Sequence, residues 1–247
     1  MSAIPVLEAR ELSIAFGGVQ AVREVTLKVM RGELICIIGP NGAGKSSLLD
    51  LISGTVKASS GDVSVNGTPL RGGNPGAFAR AGVIRKFQGT NIFQGLSVRD
   101  NLIVAAAGVA SLRVAAGPSS EALLEMAGLA DCADEKAEFL PHGRRQWLEI
   151  AMAMMCQPSL LLLDEPCAGM NVGDAPVLAR LLRNLNGKIA VVIIEHDMKF
   201  VRSLRSRTLV MHQGAIVRDG DFATLETDRE IREIYLGRRA RERECCR

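Results

Sequence analysis

The stretch Gly39-Pro40-Asn41-Gly42-Ala43-Gly44-Lys45-Ser46 has the spacing GxxxxGK[ST] of a loop that cradles phosphate. It lies between an apolar run, Leu34 to Ile38, and a helical pattern, Ser46 to Ile52, so the chain reads strand, tight loop, helix. Glycines permit the tight turn and let backbone N–H groups surround phosphate oxygens, and the helix N-terminus adds a favourable dipole. Lys45 would bring a positive charge to the β and γ phosphates of a nucleotide, and the Ser46 hydroxyl would ligate magnesium.

A second group lies 119 residues after Lys45, where Leu160 to Leu163 run into Asp164-Glu165. Paired carboxylates at a strand end suit metal chemistry. Asp164 would hold the magnesium, often through water, and Glu165 would polarise the attacking water as general base. An acidic strand end is also a common structural feature, and its pairing with a phosphate loop is what gives it weight. A third group follows the apolar run Ala190 to Ile194. There Glu195-His196-Asp197 puts an imidazole at the rim of the same sheet, within reach of a γ-phosphate.

The elements that must position these groups are legible in the periodicity. Val25 to Val29 alternates, Leu34 to Ile38 is a buried run, helical patterns dominate from about Val98 to Cys156, and strand-like runs return at Leu160 to Leu163, Ile189 to Ile194 and Thr208 to His212. Strands alternating with helices predict an α/β fold with a mostly parallel sheet. The helical middle, split at Gly117-Pro118, is expected as an inserted lobe. The whole of residues 1–247 then reads as one domain: a core of about 1–89 and 157–237, a helical lobe of about 90–156, and an Arg-rich tail, 238–247.

Composition agrees with a folded chain that has one sizeable core, since 47% of the 247 residues are hydrophobic. No apolar run reaches the roughly 18 to 20 residues of a membrane-spanning helix. Glu8 and Arg10 interrupt the stretch a secretory signal would need, so the chain is expected inside the cell. Cys36, Cys132, Cys156, Cys167, Cys245 and Cys246 form no Cys-x-x-Cys pair and are expected to be reduced thiols. Net charge is +3, and the last ten residues hold five Arg against two Glu, which leaves the rest neutral. A nucleic-acid partner is therefore not expected.

With these three groups in order, the sequence resembles the ABC ATPase family over nearly its full length. The resemblance implies a P-loop core with a small N-terminal antiparallel sheet, ATP and Mg2+ as cofactors, and a nucleotide site of Gly39, Pro40, Asn41, Gly42, Ala43, Gly44, Lys45, Ser46 and Ser47. It implies that Gln88, in Arg85-Lys86-Phe87-Gln88, joins the lobes and senses magnesium and the γ-phosphate, and that Phe16 lies against adenine. Ser46, Gln88 and Asp164 would then attend the metal, and Glu165, His196 and Gln88 would be catalytic. Leu140-Pro141-His142-Gly143-Arg144-Arg145-Gln146 is similar to the family signature, in which Pro141, His142 and Gly143 would cap the ATP of a facing subunit. Pro141 stands where the family usually has serine, and Arg144 would bring a positive charge to that interface. Ala168-Gly169-Met170-Asn171 is similar to the loop after the base.

The implied partners are a second ATPase subunit, for which the resemblance favours a sister chain with a second copy of this chain as the alternative, two transmembrane permeases and, indirectly, a substrate-binding protein, with the chain peripheral on the inner membrane face. Narrower features, Glu165-Pro166-Cys167-Ala168-Gly169-Met170 and Ile194-Glu195-His196-Asp197-Met198, are similar to importers of branched-chain amino acids, urea and short amides. Gln146-Trp147-Leu148-Glu149-Ile150, Phe200-Val201-Arg202, His212-Gln213-Gly214 and Tyr235-Leu236-Gly237 look most like the urea type. A branched-chain amino-acid importer is the alternative in cargo. A soluble ABC protein and an ATP-binding subunit with poor hydrolysis are the alternatives in class.

Overall fold

Alternation of apolar and polar side chains produces the first strands. β1 (Leu7–Phe16) and β2 (Val19–Val29) pair antiparallel, with Leu7 opposite Val29 and Ala9 opposite Leu27, so their buried side chains share a face. β3 (Leu34–Ile38) is apolar and buried at every position, the pattern of a strand covered on both sides. α1 (Lys45–Ile52) follows, and β4 (Ser60–Val65) and β5 (Thr68–Leu70) return to the first sheet. α2 (Pro75–Arg80) opens on a proline and on Asn74, whose side chain accepts the Ala77 N–H at 3.1 Å, and it leads into β6 (Val83–Lys86).

The computed structural model describes residues 4–86, 91–110, 118–170, 173–185 and 187–231. Between β6 and the next strand it places α3 (Val98–Ala110), α4 (Ser120–Met126) and α5 (His142–Met155), with two 3-10 turns at Ala130–Cys132 and Ala137–Phe139. Strands and helices then alternate: β7 (Leu160–Asp164), α6 (Asp174–Leu185), β8 (Ala190–Ile194), α7 (Met198–Leu204), β9 (Arg207–His212), β10 (Ala215–Asp221) and α8 (Phe222–Leu225).

Two sheets result. The N-terminal one is antiparallel in the order β2-β1-β4-β5, and the larger one has the order β10-β9-β3-β8-β7-β6. Within the larger sheet, β9, β3, β8, β7 and β6 are parallel neighbours, and β10 joins antiparallel at the edge. The fold is thus α/β with a mostly parallel sheet, a small antiparallel sheet and a helical insertion in sequence, as expected.

Period-2 geometry explains how one sheet supports two cores. Cys36, Leu161, Leu163, Val191 and Ile193 face a cluster that includes Leu148 of α5, Leu178 of α6 and Val201 of α7. Their neighbours Ile35, Ile37, Leu160, Leu162 and Val192 face the other way, onto Leu48 and Leu49 of α1 and the apolar side of β1 and β2. Among the elements that escaped the periodicity, β6 is short and ends in two cations, α2 is a six-residue helix, and β10 is a partly exposed edge strand. Gln88, Asn171 and the 238–247 tail lie outside the described residues.

Leu162 is fully buried in β7, so Leu162→Ala is expected to cost about 2–5 kcal/mol in chemical denaturation. Val177, 45% exposed on α6, is the control, and Val177→Ala should stay within about 0.5 kcal/mol.

Candidate active site

The parallel register sets the site. Asp164 pairs with Ile194 and Ile37 also pairs with Ile194, so β7, β8 and β3 end side by side at one edge. The loop from Gly39 to Gly44 leaves β3 there. Gly44 caps α1 in the left-handed region, φ 98°, and a Cβ at that position would stand 2.1 Å from the Ala21 carbonyl oxygen. A Cβ on Gly39 would stand 2.3 Å from the Met211 carbonyl oxygen. The two ends of the loop are therefore closed in by β2 and β9, and only glycine fits at positions 39 and 44. The Gly214 N–H donates to Ala43 O at 3.0 Å and fastens the loop to the β9–β10 turn. Lys45 is buried and its Nζ donates to Gly39 O at 2.8 Å and Pro40 O at 3.0 Å. Asn41, Gly42 and Ser46 are exposed, and Pro40 and Ser47 are half-buried. Phe16, at the end of β1, is half exposed.

Glu165 follows the last residue of β7 with φ +48°, a left-handed conformation that a non-glycine residue holds only where its surroundings fix it. Its N–H donates to Ile194 O at 3.0 Å and its carbonyl accepts the Ala168 N–H at 3.1 Å. His196, just past β8, has its Nδ1 3.5 Å from Glu165 Oε1. The imidazole is exposed and the carboxylate partly so. Base candidate and imidazole thus meet at the open rim, as the sequence suggested.

Asp164 is buried, and burial pushes its carboxyl above the ordinary aspartate range while the Arg85 guanidinium opposes that shift. Arg85 itself, at the penultimate position of β6, spans two elements. Nη1 lies 2.5 Å from Asp50 Oδ1 on α1, and Nη2 lies 3.3 Å from Asp164 Oδ2. One guanidinium so ties the helix that starts at Lys45 to the strand that ends at Asp164.

The signature stretch forms the start of α5. Pro141 is its N-cap with φ −56° and no side-chain capping bond, and Gly143 is buried. His142 is exposed, and its Nδ1 lies 3.4 Å from Gly169 O. Gln146 donates to Ala168 O. The charge expected from Arg144 is already matched: both its terminal nitrogens reach Asp131, at 3.0 and 2.8 Å, so it does not bring an unbalanced cation to the helix start. Burial pushes the thiols of Cys36 and Cys167 up from the ordinary cysteine range. Among the described residues Cys36, Cys132, Cys156 and Cys167 are all free.

Sequence reasoning passed over Glu195. It is buried, and its Oε1 accepts the Cys167 N–H at 3.0 Å while its Oε2 accepts the His196 N–H at 3.1 Å. It therefore joins the loop after Glu165 to the residue that carries the imidazole. The available signal was a carboxylate at the end of an unbroken apolar strand, beside a histidine that drew the attention. Glu195→Ala should leave two N–H groups without this acceptor, at about 1–3 kcal/mol each if they stay buried, and lower turnover more than ATP affinity. Thermal denaturation together with ATP-binding and hydrolysis measurements checks this.

The comparisons with known proteins agree with this geometry. A family model described as ABC transporter matches residues 22–168, more than half of the chain. The high-affinity branched-chain amino acid transport ATP-binding protein BraF of Pseudomonas aeruginosa is 34% identical over 250 residues, covering 94% of this chain and 98% of that protein. The probable branched-chain amino acid transport ATP-binding protein LivG of Archaeoglobus fulgidus is 29% identical and covers 97% and 98%. Among solved structures, an ATP-binding cassette of an ABC transporter in its ADP conformation superposes with a TM-score of 0.82 at 27% identity, over 95% of this chain and all of that one. With a phosphate loop, an acidic strand end and an imidazole gathered at one sheet edge, the chain belongs to the ABC transporter family as one of its ATP-binding, ATP-hydrolysing subunits.

Proposed function

We propose that this subunit drives an importer of branched-chain amino acids. The observation that carries the catalytic part is the convergence of the Lys45 loop, Asp164-Glu165 and His196 on the carboxyl edge of one parallel sheet. The phosphates would lie on the loop of residues 39–47, with Lys45 turning from its own loop carbonyls to the β and γ oxygens. Glu165 would take the proton of the attacking water, His196 would contact the γ-phosphate, and Phe16 would lie against adenine. Hard oxygen donors at Ser46, Asp164 and Gln88 fit magnesium, which would supply positive charge to offset that of the phosphates when bound.

The cargo reading rests on the names of BraF and LivG. It replaces the urea type suggested by Gln146 to Ile150. Those five residues are all buried in α5, so their identities answer to packing and not to any transported molecule. A soluble ABC protein with a coiled-coil arm is disfavoured, since the longest helix among the described residues has 14 residues. No helix of the described residues is long and apolar enough to cross a membrane. The subunit would work with a second ATPase, two permeases and a substrate-binding protein, at the inner membrane face. Its helical lobe, about 90–156, would transmit closure to the permeases.

Pro141 favours an asymmetric pair. Proline at the N-cap supplies no hydroxyl, and Arg144 is occupied by Asp131. The site that this signature completes would be slow, and the one holding Lys45, Asp164 and Glu165 competent. A lost hydrogen bond to a charged group is worth about 1.5–3 kcal/mol, or about ten- to a hundredfold in rate.

Lys45→Ala should abolish ATP binding in equilibrium titration, and undiminished affinity would remove the loop from this account. Glu165→Gln should bind ATP yet lose about a hundredfold or more in turnover. Pro141→Ser should raise ATPase activity of the assembled complex, and no gain would dismiss the asymmetry. With permeases and binding protein reconstituted, leucine, isoleucine or valine should stimulate hydrolysis, whereas stimulation by urea would transfer the assignment.

A further inference from the structure

Glu149 lies in the middle of α5 with its side chain only 6% exposed, beside the buried apolar residues Leu148 and Ile150. Its two carboxylate oxygens go to different partners. Oε2 lies 3.0 Å from Nζ of Lys86, which is equally buried, and Oε1 accepts the Asn91 N–H at 2.6 Å. Lys86 ends β6, and Asn91 stands five residues further on. One carboxylate therefore holds both flanks of the short segment that contains Gln88.

A buried ion pair is expensive to desolvate, and an apolar pair of the same volume often serves stability as well. What the charged pair supplies here is a fixed relation between α5 and two points of the chain. The same helix reaches the loop after Glu165: Gln146 donates to Ala168 O and His142 lies beside Gly169 O. α5 thus touches the loop that follows the base candidate and, through Glu149, the flanks of Gln88.

We propose that Glu149 is a positioning residue for ATP hydrolysis, tying Lys86 and Asn91, which bracket Gln88 in sequence, to the helix that also holds the loop after Glu165. The inference rests on the roles proposed above for Gln88 and Glu165. Glu149 acts through those residues.

The test compares Glu149→Ala, Glu149→Gln, Lys86→Gln and the double variant Lys86→Gln/Glu149→Gln, with Glu165→Gln alongside. Each is assayed for ATP affinity, turnover at saturating MgATP, and emission of Trp147, the chain's single tryptophan, which lies on α5. Glu149→Ala should bind ATP within about threefold of wild type but turn over about ten- to a hundredfold more slowly, as a displaced reacting group does. Its Trp147 emission should no longer respond to MgATP as wild type does. The double variant keeps an oxygen for the Asn91 N–H and leaves no buried unpaired charge, so it should turn over faster than either single Gln variant. Glu149→Ala turnover within about twofold of wild type, or a loss that merely follows ATP affinity, would overturn the proposal. If Glu149→Ala does not fold, the double variant decides, and turnover no better than that of the single variants overturns it equally. Should Glu165→Gln stay active, the reading of the site fails; should Glu165→Gln be inactive while Glu149→Ala is normal, only the role of Glu149 fails.

Discussion

Burial of the parallel sheet on both faces is the constraint from which the site follows. β3, β7 and β8 are buried at every position, so none of them can carry an exposed chemical group within its length. Function is displaced to the strand ends: Asp164 is the last residue of β7, Glu165 follows it, and His196 is the second residue past β8. Parallel register aligns those positions at one edge, which brings together Gly39, Glu165 and His196 although they lie far apart in sequence. The hydrophobic effect that builds two cores back to back thereby assembles the chemistry at their common border.

Alignment to a few ångströms is coarse for catalysis, and buried charges refine it. Arg85 binds Asp50 and Asp164 and so fixes α1 relative to β7. Glu195 accepts backbone N–H groups from both sides of the Glu165 and His196 pair. Each tie joins segments distant in sequence, and each places a charged group where an apolar one would satisfy packing alone. Buried charges add little net stability, because desolvation offsets most of the attraction, so their contribution lies in defined geometry. The left-handed Glu165 belongs to the same economy of form, since its backbone is held by Ile194 O and the Ala168 N–H.

What the sequence made legible was whatever repeats or has fixed spacing. The phosphate loop, the leucine strand with its acidic end and the Ile194-Glu195-His196 junction all lie on elements with an unambiguous period, and the structure brings them together. The ties were not legible because they depend on which strands neighbour which. Nothing local in Arg85-Lys86 says that one side chain will meet Asp50 and Asp164 and the next Glu149. On α5, Trp147, Leu148 and Ala151 are buried, and Gln146 and Glu149 are buried too, against the usual preference of their types. The pairing of Arg144 with Asp131 was not legible either, because the two are neighbours in space but 13 residues apart in sequence.

Amide hydrogen exchange of the Glu165→Gln chain, with and without MgATP, tests the central claim that these separate segments form one nucleotide site. The account predicts that MgATP slows exchange in residues 39–47, 164–169 and 195–197 together. Protection confined to the phosphate loop, with the segments after β7 and β8 unchanged, would contradict it.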